Sequence, residues 1–436
     1  MPLSPHRSTE GRLHRPHERS RGSPIHPRPA QAPDRRRVLT SPSVEVIIVN
    51  WNSRQHTLDC VSAVDGQLGE TGNASITVVD NGSTDGSAGA VAARFPEVKL
   101  FALPANRGFT GGIAAAMAGS GADYVVFLNN DAVPQEGWLP ALVGAMESAP
   151  ADVISIGGRI TDLSGKLIDF IGGVMTFDGH GFQTGFRHPL GSHEEPKAGG
   201  EILFACGGNM ISRRAALEEL GAFDDDYFAY LEDVDLGWRA WLSGHRVLYE
   251  PAALVRHASS ATSDRLGNFE RGVLFERNAL QTVIKNYDEE MLREAAGAIF
   301  LTYLHRLHHY TTTRNGAEGL TRAPFEGESA TVSSGMLSRL WRRLVPRTIA
   351  KIEDPLTAMQ FRAFEWIVRN ESRIAAKREL VQSRRKRSDE DIFSRFPLHF
   401  VPTYPGDDAL MAGALFRLLR PRTPSADRKL GDIIAT

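Results

Sequence analysis

From Val44 onward the apolar residues fall in short β-branched runs separated by helical stretches and turn residues, the pattern of βα units around a parallel sheet. The runs are Val44 to Val49, Ile76 to Val79, Val98 to Leu103 and Tyr124 to Leu128. Between them Thr57 to Val64, Ala88 to Phe95 and Gly111 to Ala118 read as helices, and a further helix is expected after Pro134. Past about residue 286 the strand signals fade. Asp354-Pro355 is an N-cap and first-turn pair, and Leu356, Met359, Phe364, Ile367, Val368 and Ile374 then follow at helical spacing. This predicts one long amphipathic helix ending at the basic run Arg384 to Arg387. Residues 1–42 are different: eight prolines and almost no apolar run leave them too little to bury to offset the entropy of ordering. The chain therefore reads as a disordered basic tail (1–42), an α/β domain (43–286) and a mainly helical region (287–436).

With 436 residues, 42% of them hydrophobic and 23% charged, the chain is large enough for a substantial core and unlike collagen, a pure coiled coil or a wholly disordered protein. Net charge is −2, but the tail holds nine Arg against three acids, so the remainder is near −8. An acidic body argues against a nucleic-acid partner, which would call for a basic surface over the fold. Ala295 to Leu304 is about half the length of a membrane span, and the N-terminus shows no apolar signal core. Two cysteines, Cys60 and Cys206, are too few for a disulfide framework, so a reducing, cytoplasmic setting is expected.

In open α/β sheets ligands sit outside the carboxyl ends of the strands. Here those ends are polar each time: Asn50 and Asn52, then Asp80-Asn81-Gly82-Ser83, then Asn106-Arg107-Gly108, then Asn129-Asn130-Asp131. Such a row of hydrogen-bonding groups suits a polar, phosphate-bearing ligand. Each piece alone has a plainer explanation as a turn or helix cap. A carboxylate at a buried strand tip, such as Asp131, also suits Mg²⁺ or Mn²⁺ shared with diphosphate oxygens. Glu232-Asp233-Val234-Asp235 opens a helix expected to end at Gly244. The helix macrodipole accounts for acids there, and an ionised carboxylate at that place is equally suited to act as general base. His257 taken alone reads as a structural histidine, and Gly207-Gly208 as either a tight turn or a close approach to ligand.

Taken together, Val46-Ile47-Ile48-Val49-Asn50-Trp51-Asn52, Val79 to Asp85, Asn106 to Phe109, Leu128 to Asp131, Glu232 to Asp235 and Arg256-His257 resemble family 2 glycosyltransferases of the GT-A fold, in particular the bacterial rhamnosyltransferase-like branch. The resemblance spans roughly Val44 to Asn286, with Glu276-Arg277-Asn278 and Lys285-Asn286 as weaker late matches. It implies a Rossmann-like, mostly parallel sheet flanked by helices, followed by a helical C-terminal extension. It also implies metal-dependent, inverting transfer from a nucleotide sugar, dTDP-rhamnose first and UDP-sugars next, to a saccharide or lipid-linked saccharide of the cell surface. Asp233 would be the catalytic base with Glu232 beside it, and Asp131 and His257 the metal ligands. Asp80 would read the pyrimidine, and Asn50, Asn52, Asn81, Arg107, Gly108, Asn130, Gly207 and Gly208 would complete the nucleotide-sugar site. Asn129 departs from the acidic first position of the family's metal motif.

Two other readings remain open on the sequence. A catalytically silent nucleotide-sugar scaffold on the same fold would keep Asp80 and lose the base or metal residues. A nucleotidyltransferase would want a Gly-rich loop where Asn50-Trp51-Asn52-Ser53 stands. Arg339, Arg342, Arg343 and Arg347, interleaved with Leu337, Leu340, Trp341 and Leu344, together with Arg384 to Arg387, form either a solvated face or a basic surface for peripheral contact with anionic lipid.

Overall fold

The computed structural model describes residues 41–259, 267–313 and 354–435. The basic tail and the Arg339 to Arg347 stretch lie outside the described residues. Strand and helix alternate as the pattern predicts: β1 (Val44–Asn50), α1 (Arg54–Asp65), α2 (Leu68–Thr71), β2 (Ala74–Asp80), α3 (Ser87–Arg94), β3 (Lys99–Ala102), α4 (Gly108–Met117) and β4 (Tyr124–Asn129). β4 is apolar because it is buried on both faces; Val125, Val126, Phe127 and Leu128 are fully buried. Then come β5 (Ala132–Pro134), α5 (Trp138–Ser148), β6 (Val153–Asp162), β7 (Ile168–Phe170), β8 (Gly173–Met175), β9 (Gly181–Gln183), β10 (Gly200–Glu201), β11 (Asn209–Arg213), α6 (Arg214–Leu220), α7 (Glu232–Leu242) and β12 (Arg246–His257).

The main sheet runs β10-β12-β6-β11-β4-β1-β2-β3, with β5 on β12 and β7 on β6. β4, β1, β2 and β3 are mutually parallel, so their carboxyl ends share one edge. β11 is antiparallel to both β4 and β6, which makes the other half of the sheet mixed. α4 lies close on β1 at Gly112, where a Cβ would come within 2.7 Å of Val49 Cγ1.

The later elements are α8 (Asn268–Asn286), α9 (Glu289–Thr313), α10 (Pro355–Arg369), α11 (Glu371–Ser383), α12 (Asp389–Arg395), β13 (Leu398–Phe400), α13 (Asp407–Met411), α14 (Ala414–Leu419) and β14 (Ser425–Asp427). The single long helix expected from Asp354 is two. Asp354 caps its start, accepting from Thr357 N at 2.6 Å, but Asn370 stops α10 and starts α11. Its Nδ2 donates to Trp366 O at 2.7 Å while its own carbonyl accepts from Ile374 N, a backbone competition typical of Asn.

The basic run at the end of α11 is bound inside the fold. Arg384 donates to Leu220 O at 3.0 Å, Arg385 to Asn286 O, and Arg387 to His245 O at 2.7 Å and Gly244 O at 3.0 Å. These cations sit on the carbonyl ends of α6, α7 and α8, where helix dipoles favour positive charge. Much of the hydrogen-bonding capacity of this run is thus spent on the fold itself, while Lys386 is exposed. Ser41–Thr436 forms one compact unit, with no division at 286.

Candidate active site

A cavity of about 650 Å³ opens at the shared strand edge. One end is built by β1, β2 and β4. Asn50 and Asp80 are register partners at the tips of β1 and β2. Asn50 Nδ2 donates to Asp80 Oδ1 at 2.8 Å, and Asp80 Oδ2 accepts from Ser83 N at 3.1 Å. Asn50 Oδ1 accepts from Thr57 Oγ1 at 2.8 Å and Asn130 Nδ2 at 3.1 Å. Asn52, at φ 50°, accepts from Thr84 N at 2.7 Å. Asn50, Asn52 and Asp80 thus brace the strand ends from behind the wall, and Arg107 is exposed outside it. The wall itself is Val49, Trp51, Asn81, Asn106, Gly108, Asn129, Asn130 and Asp131. Asn81 organises it: its Nδ2 donates to Asn106 Oδ1 and Gly108 O, both at 2.9 Å, and its Oδ1 accepts from Arg107 N at 2.9 Å.

Beside this lies a buried carboxylate–imidazole–carboxylate row. His257, at the end of β12, has Nε2 2.9 Å from Asp131 Oδ1 and Nδ1 3.0 Å from Asp169 Oδ2. Burial alone would depress the imidazole pKa, but hydrogen bonds and charge from Asp131 and Asp169 outweigh it and push it up to about 10. Burial raises the Asp131 carboxyl, and His257 more than reverses this to leave it below the ordinary value. Ser259 Oγ also donates to Asp169.

Does this row suit a divalent cation? Among the described residues no three His, Cys, Asp or Glu side chains gather around one point. Yet Mg²⁺ is commonly held by one or two carboxylates with phosphates and waters supplying the rest. Two adjacent octahedral ligands at about 2.1 Å lie about 3.0 Å apart, and the observed Asp131 to His257 spacing is 2.9 Å. A bound cation would displace the Nε2 proton that now faces Asp131, and with Nδ1–H donated to Asp169 the Nε2 lone pair would then point at the ion, the usual carboxylate support of a metal-bound histidine. The residues fit the ion.

Across the cavity α7 begins with Glu232 and Asp233. Asp233 Oδ2 accepts from Gly207 N at 3.3 Å and Oδ1 from Val234 N at 2.9 Å. Gly208 joins the two sides, its carbonyl accepting from Asn129 N at 3.2 Å, and a Cβ there would lie 2.7 Å from Asn129 Nδ2. Glu232 is buried, and among the described residues its Oε2 has no hydrogen-bond partner. Burial, then the Asp233 charge, pushes Glu232 up to about 8. Burial also lifts Asp233, but donors at Gly207 and Val234 hold it to about 6. At neutral pH the pair is therefore a carboxylate at Asp233 beside a carboxylic acid at Glu232. The third acid, Asp235, faces inward and is neutralised by Arg239 at 2.7 Å and Lys285 at 3.0 Å. Burial and Asp233 raise the Cys206 thiol well above its usual value, which leaves it unreactive.

Two sets of residues escaped the sequence. Asp169 sits on a three-residue strand with no motif around it. The far end of the cavity is aromatic, with Phe182, Phe186, Phe275 and Tyr230 beside Arg187, Arg271 and Ile434; these come from separate elements and carry no shared signal.

An α/β sheet whose polar strand tips face a carboxylate-lined cavity is the GT-A arrangement. Residues 45–221 match the family model Glycosyl transferase family 2. It is 29% identical over 216 residues, 44% of this chain and 68% of the relative, to N-acetylglucosaminyl-diphospho-decaprenol L-rhamnosyltransferase of Mycobacterium tuberculosis. It is 27% identical over 238 residues to the pre-mycofactocin glycosyltransferase of that organism, covering 53% of this chain and 45% of that protein. Among solved structures, GalNAc-T7 with UDP, GalNAc and Mn²⁺ aligns over 83% of this chain and 59% of that one, at 14% identity and a TM-score of 0.48. Among the described residues no helix is long and apolar enough to cross a membrane.

Proposed function

We propose that the protein is an inverting glycosyltransferase that takes a sugar from a nucleoside-diphosphate sugar, dTDP-rhamnose first and UDP-sugars next. The acceptor is a hydroxyl of a saccharide or lipid-linked saccharide in cell-surface polysaccharide assembly. One observation supports it above the others: a single cavity holds a cation-fitting Asp131–His257 pair on one side and, on the other, an Asp233 carboxylate with its pKa raised toward neutrality. The named rhamnosyltransferase relative supports the donor choice.

Asn81, Gly108 and Asn130 would line the nucleotide side, with Asn50 and Asp80 keeping those strand tips in register. Asp131 and His257 would hold Mg²⁺ or Mn²⁺, with Asp169 orienting the imidazole. When bound, such an ion neutralises charge on a departing diphosphate. Asp233 accepts the proton of the acceptor hydroxyl. That oxygen bonds to the anomeric carbon from the face opposite the nucleotide, the bond from that carbon to the phosphate oxygen breaks, and its electron pair leaves with the nucleoside diphosphate. Glu232, protonated, donates a hydrogen bond toward the acceptor. The aromatic end of the cavity gives apolar faces on which a sugar ring can stack.

Thermal unfolding against dTDP-rhamnose, UDP-glucose, UDP-galactose, UDP-GlcNAc and GDP-mannose, with Mg²⁺ or Mn²⁺ and again with EDTA, tests this. A ligand at about 100 times its Kd stabilises by about 2.7 kcal/mol, a shift of several degrees. A rise confined to dTDP- or UDP-sugars and lost with EDTA is expected. No rise with any donor, together with full activity of Asp233→Asn on a donor found by turnover, would overturn the reading.

A further inference from the structure

The four residues leading into α7 have an improbable backbone. Phe228, Tyr230 and Leu231 hold φ of 63°, 71° and 62°, left-handed conformations that non-glycine residues keep only when their surroundings enforce them. All four residues of Phe228–Leu231 line the cavity. Phe228 O accepts from Thr110 N at 3.2 Å, and Leu231 O accepts from Asp235 N at 3.0 Å. The direction in which α7 presents Glu232 and Asp233 is therefore set by this loop.

What enforces the loop is a pair on α8. Asn278 is fully buried, and its Nδ2 lies 3.0, 2.9 and 2.7 Å from the carbonyl oxygens of Tyr227, Ala229 and Tyr230. Its Oδ1 accepts from Gln281 Nε2 at 2.9 Å and Arg277 Nε at 3.2 Å, which turns the NH₂ toward the loop. Arg277 Nη2 donates to Asp226 O at 2.7 Å and Tyr227 O at 3.3 Å. The Arg277 guanidinium in turn lies 4.5 Å from the centre of the Trp366 ring on α10. Only an amide serves here, because a carboxylate in its place would face three carbonyl oxygens with no proton to share.

We propose that Asn278 is a positioning residue for sugar transfer: with Arg277, seated on Trp366, it holds the strained Phe228–Leu231 loop so that Asp233 keeps its place beside Gly207. The proposal rests on Asp233 being the base.

The test compares Asn278→Asp, Arg277→Lys, Trp366→Ala and Trp366→Phe with the parent chain. Release of nucleoside diphosphate from dTDP-rhamnose and UDP-glucose is read as separate kcat and KM values, and hydrogen exchange is followed in peptides covering 226–234. Misplacing a reacting group by about 1 Å costs on the order of 100-fold in rate. Asn278→Asp and Arg277→Lys should accordingly lose on the order of 100-fold in kcat with donor KM changed less than about threefold. Exchange at 226–234 should rise in both. Trp366→Ala should follow them, and Trp366→Phe, which keeps an aromatic face, should return kcat to within about threefold of the parent. If Asn278→Asp does not fold, the Arg277 and Trp366 variants decide. Parent-like kcat in folded variants, or unchanged exchange at 226–234, overturns the proposal. Should Asp233→Asn retain full turnover, the base assignment fails separately, and the exchange measurement still decides whether Asn278 holds the loop.

Discussion

Replacing Glu232 by Gln isolates the electrostatics of the carboxyl pair, because Gln is neutral like the protonated acid and nearly the same shape. With Glu232 pushed up to about 8 and Asp233 to about 6, the productive state, Asp233 ionised and Glu232 protonated, fills most of the interval between them. In the parent protein kcat/KM should therefore peak near pH 7 and fall about tenfold by pH 5 and again by pH 9. These are macroscopic limbs of a coupled pair, so each belongs to both residues. In Glu232→Gln the alkaline limb should vanish, since nothing remains to ionise there. The acid limb should stay near pH 6, since the neutral amide exerts no more charge on Asp233 than the neutral acid did. Asp233→Asn should cost about 10²–10⁴-fold at every pH, the usual worth of a positioned base. Nucleoside diphosphate release, followed from about pH 4.5 to 9.5 with circular dichroism as a folding control, measures all three. An acid limb near the ordinary carboxylate value of about 4, or an alkaline limb that survives in Glu232→Gln, refutes the reasoning.

Three further outcomes follow from the geometry. Asp169→Asn should weaken Mn²⁺ binding about 10–100-fold by calorimetry in the presence of dTDP, because the imidazole loses its carboxylate support; unchanged affinity would remove Asp169 from the site. Gly108→Ala should lower Tm by at least about 4 °C, since φ is 74° there and the new Cβ would lie 2.3 Å from Phe228 O; an unaltered Tm contradicts this. His180 is fully buried between Asp178 at 3.1 Å and Glu276 at 3.2 Å. Burial alone would lower its pKa, but the two carboxylates push it up to about 9. A raised histidine stabilises fully below its unfolded pKa of about 6.5 and loses that contribution as pH climbs through 9, about 3 kcal/mol in all. In urea unfolding His180→Gln should therefore lose less stability than the parent between pH 6.5 and pH 9, and parallel losses would sink the idea.

β1, β2 and β4 were legible because a strand buried on both faces must be apolar throughout, and few other arrangements produce Val46 to Val49 or Val125 to Leu128. The polar tips were legible for the same reason, standing out against those runs. What each tip does was not. Asp80-Asn81-Gly82-Ser83 suits a ligand and a turn equally, and only in the folded chain is the Asp80 carboxylate occupied by Asn50 and Ser83. Asp169 lies in a strand too short to have a period, and Phe182 meets Phe275 only through packing, 93 positions apart in the chain. The break at Asn370 is a local contest between side chain and backbone that the apolar spacing across it does not register.

The change of pattern near residue 286 is a change of secondary structure and not a boundary of the site. Ile434, from the far end of the described chain, lines the cavity, and Ala435 N donates to Phe186 O at 2.8 Å beside it. Asp224, just before the strained loop, is held by Lys285 at 2.5 Å and also by Lys377 of α11, while Asp226 takes Lys377 at 2.6 Å and Arg373 at 3.1 Å. Both of these acids enter the loop that presents Asp233. The basic residues of α11 and of the run just after it therefore have two tasks in the fold: Arg384, Arg385 and Arg387 satisfy the carbonyl ends of three helices, and Lys377 and Arg373 fix the acidic approach to the proposed base. A chain cut at 286 would keep the nucleotide side of the cavity and Lys285, and lose Lys377 and Arg373, the other cations paired with Asp224 and Asp226. Its expected behaviour is nucleotide binding without efficient transfer.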